Sequence, residues 1–154
     1  MSYPNTAPIL GTMTVLTPTG AGTNVSGTVS GLEAFDSVIL VATLVGQKTG
    51  TVDLYVQSRH GDVEWVDVAH FAQVPAIAAQ SQLRVVLSRY ASVGTPDPVG
   101  TGMAPALAAG DVVPGEFGDA LRLLCVGSVF GWGLVSQTVA VYAAACPSGS
   151  HARR

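Results

Sequence analysis

Gly50-Thr51-Val52-Asp53-Leu54-Tyr55-Val56-Gln57-Ser58, then Arg59-His60-Gly61-Asp62, then Val63-Glu64-Trp65-Val66-Asp67-Val68-Ala69-His70-Phe71: the reading of this stretch decides the fold. In its first run Val52, Leu54 and Val56 fall on one side of an extended chain, and Asp53, Tyr55 and Gln57 on the other. That period of two is what a half-buried strand requires. The glycine-containing middle has hairpin length. The second run returns as a strand with Glu64, Val66 and Val68 on one face and Val63, Trp65 and Asp67 on the other. Its alternation is imperfect, which places a β-bulge near Asp67.

Working outward, Ser37 to Val45 is nearly continuous in apolar residues and reads as a strand covered on both faces. Gly46-Gln47-Lys48-Thr49-Gly50 reads as a hairpin turn joining it to the next strand. Further upstream, Asn24 to Val29 reads as a short strand and Gly31 to Phe35 as a turn. Downstream, Gln80 to Arg89 sets Leu83, Val85 and Leu87 against Arg84, Val86 and Ser88, with its arginines outward. Asp119 to Val129 and Ser136 to Ala145 are two more apolar strands, joined around Gly131-Trp132-Gly133. Glycine (18) and proline (9) are scattered through the whole length, so no stretch runs far enough for a helix of three or more turns.

The fold class expected is therefore all-β: a β-sandwich or jelly roll of about six to eight short antiparallel strands. Residues 1–23, with Pro4, Pro8, Pro18 and the run Thr12-Met13-Thr14-Val15-Leu16-Thr17, read as an extended N-terminal arm carrying one edge strand. Residues 24–146 form a single domain, and 147–154 a polar tail. Within the domain, residues 91–118 hold Pro96, Pro98, Pro105 and Pro114 and read as a long irregular loop of the kind that contacts a partner.

The composition is unusual for such a domain. Hydrophobic residues make up 48% and charged residues 11%, where about 25% charged is ordinary. A membrane would explain this, but the apolar stretches Val38 to Val45, Leu121 to Val129 and Val139 to Cys146 fall far short of the ~20 residues a spanning helix needs. Met1-Ser2-Tyr3-Pro4-Asn5 does not look like a secretory signal, so the chain is expected to be made and used without export. The remaining explanation is a surface covered by protein, hence an obligate oligomer. With a formal net charge of −3 and Lys48 the only lysine, there is no footprint for nucleic acid.

Reactive constellations are not found. His60, His70 and His151 have no ligand spacing, so no metal is assigned, and each is read as solvent-facing or bonded to a neighbouring strand. Asp62, Glu64 and Asp67 match no calcium loop and read as a solvated hairpin face, with Arg59 pairing one of them. No nucleophile elbow and no phosphate loop occur. No cofactor and no enzymatic activity are expected. If Gly131-Trp132-Gly133 is a hairpin tip, Cys125 and Cys146 lie beyond disulfide reach and read as buried free thiols. Trp65 is assigned to the core rather than to a sugar-binding platform, and Trp132 to an interface anchor.

The run Gly50 to Gln57 followed by Trp65-Val66-Asp67-Val68-Ala69-His70-Phe71 resembles a pattern in small virion structural proteins of tailed bacteriophages. The resemblance covers this hairpin alone. It implies a capsid decoration (cement) protein: a jelly-roll-like domain, commonly a homotrimer, made in the host cytoplasm, that sits on the head of the virion and locks neighbouring major capsid protein subunits. It transfers no active site. The apolar, charge-poor composition fits such a binding role. A tail, neck or fibre component of the same kind of particle is the alternative, and a carbohydrate-binding module the second. The residues expected at protein contacts are Tyr3, Pro4, Pro8, Met13 and Leu16 in the arm, Pro96, Pro98, Met103 and Pro105 in the long loop, and Trp132.

Overall fold

The computed structural model describes residues 9–18, 21–44, 51–60, 64–73, 81–89, 101–113, 117–128 and 136–143. Within them the period-two segments become eight strands: β1 Ile9–Leu16, β2 Gly22–Ser30, β3 Ser37–Leu44, β4 Thr51–His60, β5 Glu64–His70, β6 Ser81–Ser88, β7 Ala120–Ser128 and β8 Ser136–Ala143. They form two four-stranded sheets, ordered β1-β8-β3-β6 and β2-β7-β4-β5. The pairings are nested and antiparallel: β4 with β5, β3 with β6, β2 with β7 and β1 with β8. The chain thus runs as one long antiparallel ribbon whose apex is the β4–β5 hairpin. Two further pairings, β3 with β8 and β4 with β7, fold that ribbon over itself. This is the eight-stranded jelly roll.

The hairpin has the expected form. Gln57 faces Asp67, but Val56 faces Ala69. Val68 is the extra residue, so the bulge lies beside Asp67 as the broken alternation indicated. Val52, Leu54 and Val56 point into the core and are at most 2% exposed.

Two expectations about connections need correction. The segment 45–50 lies outside the described residues, but the strands on either side of it, β3 and β4, belong to different sheets and do not pair as a hairpin. The same holds for 129–135, because β7 and β8 also lie in different sheets. Cys125 therefore sits across from Asn24 and Leu54 rather than from a residue of β8. It is a buried free thiol. The expected edge strand is present: β1 lies at the end of its sheet, pairs along β8 and sends Met13 and Val15 into the core, at 0% and 3% exposure.

The core fills the space between the sheets. Met13, Leu40, Leu54, Leu87, Leu123 and Val141 come from six different strands and are all buried in it. The turn after β2 adds Leu32 from a short 3-10 segment, Leu32–Ala34, which Gly31 enters with φ +80°; a Cβ would disfavour that conformation. β3 alternates strictly, with Val38, Leu40, Ala42 and Leu44 buried while Ile39, Val41 and Thr43 are only half-buried. It is covered on one face, not two.

Arg89, the residue after β6, corrects another expectation: Arg84 points outward and Arg89 does not. The Arg89 guanidinium lies 4.1 Å from the Phe117 ring centroid. It donates to the carbonyls of Phe35 (2.9 Å), Phe117 (2.5 Å), Gly118 (3.1 Å) and Leu32 (3.2 Å). One side chain therefore ties the β2–β3 turn to the approach to β7, with charge-assisted bonds to carbonyls that would otherwise lose their water.

The burial pattern makes a direct prediction for stability. Leu54→Ala, deep in the core, should lower the free energy of unfolding by about 2–5 kcal/mol. Val86→Ala, on an exposed outer position, should change it by less than about 1 kcal/mol. Urea denaturation of the two variants checks the contrast.

Candidate functional site

The two sheets have outer faces of opposite character. On the β2-β7-β4-β5 sheet, the outward side of β4 carries Asp53, Tyr55, Gln57 and Arg59. The register brings His70, Asp67 and Trp65 of β5 beside them, and Leu124 and Arg122 of β7 on the other flank. Over the β5 side lies a strap, residues 101–113, from the stretch read as an irregular excursion.

The strap is built in as a partner of β5. Its ends are held by backbone bonds, Gly102 N–H to Trp65 (2.8 Å), Gly110 N–H to His70 (2.9 Å) and Val113 N–H to Val68 (2.9 Å), while His70 N–H donates to Asp111 (3.0 Å). Its centre is held by side chains. The fully buried Asp67 carboxylate accepts from Ala106 N–H (2.9 Å) and Leu107 N–H (3.5 Å). The Leu107 carbonyl meets His70 Nδ1 at 2.7 Å. Gln57 links the layers: its amide nitrogen donates to Asp67 (2.8 Å) and to the Gly102 carbonyl (2.7 Å), and its oxygen accepts from Arg122 (2.8 and 3.0 Å). The polar groups buried here thus have partners, which is what burial demands.

Two expectations about this face fail, those for Asp67 and Trp65. Asp67 is fully buried and not part of a solvated hairpin surface. Arg59 pairs with Asp119, just before β7. The Arg59 hydrogen bond holds the Asp119 carboxyl below its ordinary range, although both side chains are well exposed and the pair contributes little to stability. Glu64 is exposed and Asp62 lies outside the described residues. Trp65 is not in the core. It is half-buried on the outer face, with the Arg122 guanidinium 4.4 Å and the Arg59 guanidinium 6.0 Å from its ring centroid. Burial lowers the Arg122 pKa from its ordinary value. Burial also raises the Tyr55 phenol, aided by the negative charges of Asp53 and Asp67. His70 is bonded to the neighbouring strand as expected: its Nε2 lies 3.2 Å from Asp53.

The outer face of the β1-β8-β3-β6 sheet is different. Register arranges it in rows that cross all four strands. One row is Ile9, Tyr142, Ile39 and Val86, and Ile9 and Val86 in it are 59% and 47% exposed. The next is Thr12, Ala140, Val41 and Arg84. A third is Thr14, Thr138, Thr43 and Gln82, where the Thr14 and Thr138 hydroxyls lie 3.5 Å apart. Leu16, 47% exposed, extends the face at the far end of β1. Arg84 is the single charge in these rows.

The residues expected at contacts are dispersed by the fold. Leu16 lies on this face. Met103, 56% exposed, and Pro105, half-buried, lie on the strap on the other side of the sandwich. Met13 is corrected to a core residue, because β1 turns that position inward. Tyr3, Pro4, Pro8, Pro96, Pro98 and Trp132 lie outside the described residues, as do Cys146, His151 and the tail. The residues missed are Ile9, Ile39, Val86 and Tyr142. Their signal was the apolar outward positions of Ser37 to Val45, taken as two-sided cover within the chain.

Among the described residues, no group of three or more His, Cys, Asp or Glu is placed to hold a metal ion, and no helix is long and apolar enough to cross a membrane. No family model, curated protein or solved structure matches the chain.

Two measurements probe this layer. Asp67→Ala leaves strap N–H groups and the Gln57 amide without their acceptor, and should cost about 2–4 kcal/mol in urea unfolding while opening the strap to limited proteolysis. Burial pushes the Cys125 thiol up to about 12. In a Cys146→Ser background, Cys125 should therefore resist thiol reagents at pH 8 in the folded protein and react on unfolding.

Proposed function

We propose that this chain is a non-enzymatic virion structural protein, a capsid decoration or cement protein that docks on major capsid subunits with the outer face of its β1-β8-β3-β6 sheet. The observation that carries the reading is the row Ile9, Tyr142, Ile39 and Val86, continued by Ala140 and Val41, on a sheet face where Arg84 is the one charge in the three rows. Apolar area of this kind, contiguous across four strands, is what protein interfaces cover.

Other observations support it. The jelly roll is a scaffold shared by viral capsid domains and lectins, an analogy at the level of fold. The hairpin that resembles phage structural proteins is the apex of this jelly roll. Trp65 carries the Arg122 guanidinium over its ring at 4.4 Å, which argues against it as a sugar platform; Trp132, the residue on which the carbohydrate alternative turns, lies outside the described residues. A tail, neck or fibre protein would use the same surface, and electron microscopy of labelled particles separates head from tail.

The test begins with the mass of the protein in solution and its co-sedimentation with pre-assembled capsids. A stable trimer, or capsid binding by the purified chain, is expected. Val86→Asp and Ile9→Asp should keep the β-sheet circular dichroism and weaken capsid binding at least about tenfold, since a desolvated unpaired charge costs well over 1.4 kcal/mol. Met103→Asp, on the opposite side, should bind as the parent does. A protein that is strictly monomeric and ignores capsids overturns the reading.

A further inference from the structure

The strap is gripped at one residue, Leu107, whose side chain is 3% exposed. Asp67 takes its N–H and His70 faces its carbonyl oxygen. A carbonyl has no proton to give, so His70 Nδ1 must be the donor in that 2.7 Å bond. The other ring nitrogen, Nε2, lies 3.2 Å from Asp53 Oδ1. Gln73 donates its amide hydrogens to both oxygens of the same carboxylate, at 3.0 and 3.1 Å, as suits an ionised acceptor. Both nitrogens of a ring that is 4% exposed therefore face acceptors. Only the doubly protonated imidazolium satisfies both; a neutral ring holding Leu107 would turn a lone pair toward a carboxylate.

The remaining surroundings act in the same direction. Tyr55 stacks on the imidazole with ring centroids 3.8 Å apart and planes at 22°, a cation–π arrangement when the ring is charged. From β5, Asp67 shares the outer face; from the strap, Asp111 accepts the His70 backbone N–H. From β7, Arg122 is the opposing cation on that face, and it is bound to Gln57.

We propose that His70 is a pH-sensitive latch that holds the strap 101–113 against β5. The protonated ring makes both bonds, whereas a ring that has lost one proton can donate in only one of them. Either the Leu107 bond or the Asp53 bond is then given up, and the centre of the strap, which carries the exposed Met103 and the half-buried Pro105, loosens. The inference goes beyond the docking proposal, and its readout needs no partner.

The test is amide hydrogen exchange of the full chain across about pH 5 to 9, with each rate divided by the intrinsic rate at that pH, alongside ring-nitrogen NMR of His70. Expected are two protonated ring nitrogens at low pH and a fall of about tenfold in protection of Ala106 and Leu107 as the ring loses a proton, with Leu123 in β7 unchanged. Asp53→Asn supplies the control. An asparagine amide can donate to the Nε2 lone pair, so the neutral ring is satisfied and the strap should stay protected throughout. Strap protection that is flat with pH in the parent, or that falls equally in Asp53→Asn, overturns the proposal.

Discussion

The pairing of β4 with β5 sets which side of the chain becomes interior, and the bulge at Val68 is its decisive detail. With a regular register, Gln57 against Asp67 would be followed by Val56 against Val68 and Tyr55 against Ala69, and His70 would point into the core. The extra residue places His70 across from Tyr55 instead, so Asp67 and His70 reach the same outer face while Val68 and Ala69 both go inward. A one-residue shift exchanges the faces of every later position in a strand. Here it turns three residues of sequence separation into two side chains that can hold one residue, Leu107, by its N–H and its carbonyl.

That residue belongs to the strap, and the strap answers a problem the jelly roll creates. β5 ends its sheet, and an edge strand exposes backbone groups that invite pairing with another chain. Covering it brings Gln57, Asp67 and His70 out of water. Each such group costs free energy unless it is bonded, and the network from Arg122 through Gln57 and Asp67 to the strap N–H groups supplies those bonds. Gly118 belongs to the same close packing on the far side: a Cβ there would lie 1.7 Å from the Arg59 carbonyl oxygen, a distance no side chain tolerates.

What could be read beforehand follows the range of the interactions. The hairpin, its bulge and the inward residues of β4 and β6 were legible because period-two alternation and loop length are local. The sheet to which a strand belongs is not local. A glycine-rich segment after Ser37 to Val45 looks the same whether it closes a hairpin or crosses between layers, and only the nesting of β3 against β6 and β8 decides it. The strap was hidden for a related reason: it meets β5 through isolated bridges and side-chain caps, which leave no alternation in residues rich in Gly, Ala and Pro. Arg89 and Trp65 were misplaced because composition states how apolar or charged a residue is, while the carbonyls of Leu32, Phe35 and Gly118 and the guanidinium of Arg122 that engage them come from distant segments.

The candidate site was half legible, and the missing half lies in β3. A strand apolar at successive positions signals cover on both faces. In this fold the sandwich covers the Leu40 side, and Ile39 and Val41 stand on a face whose flanking row ends in the exposed Ile9 and Val86. The other sheet shows what the chain does with a face it finishes itself: it lays a strap over it and satisfies the buried polar groups one by one. No such polar network is built into the rows of the β1-β8-β3-β6 face, where the side chains are apolar, threonine or glutamine apart from Arg84. Burying that surface would gain about 25 cal/mol per Å² of apolar area, with a single charged side chain to desolvate. The sequence of β3 carries apolar residues for two covered faces while the chain itself covers one, and this is the mismatch on which the docking proposal rests.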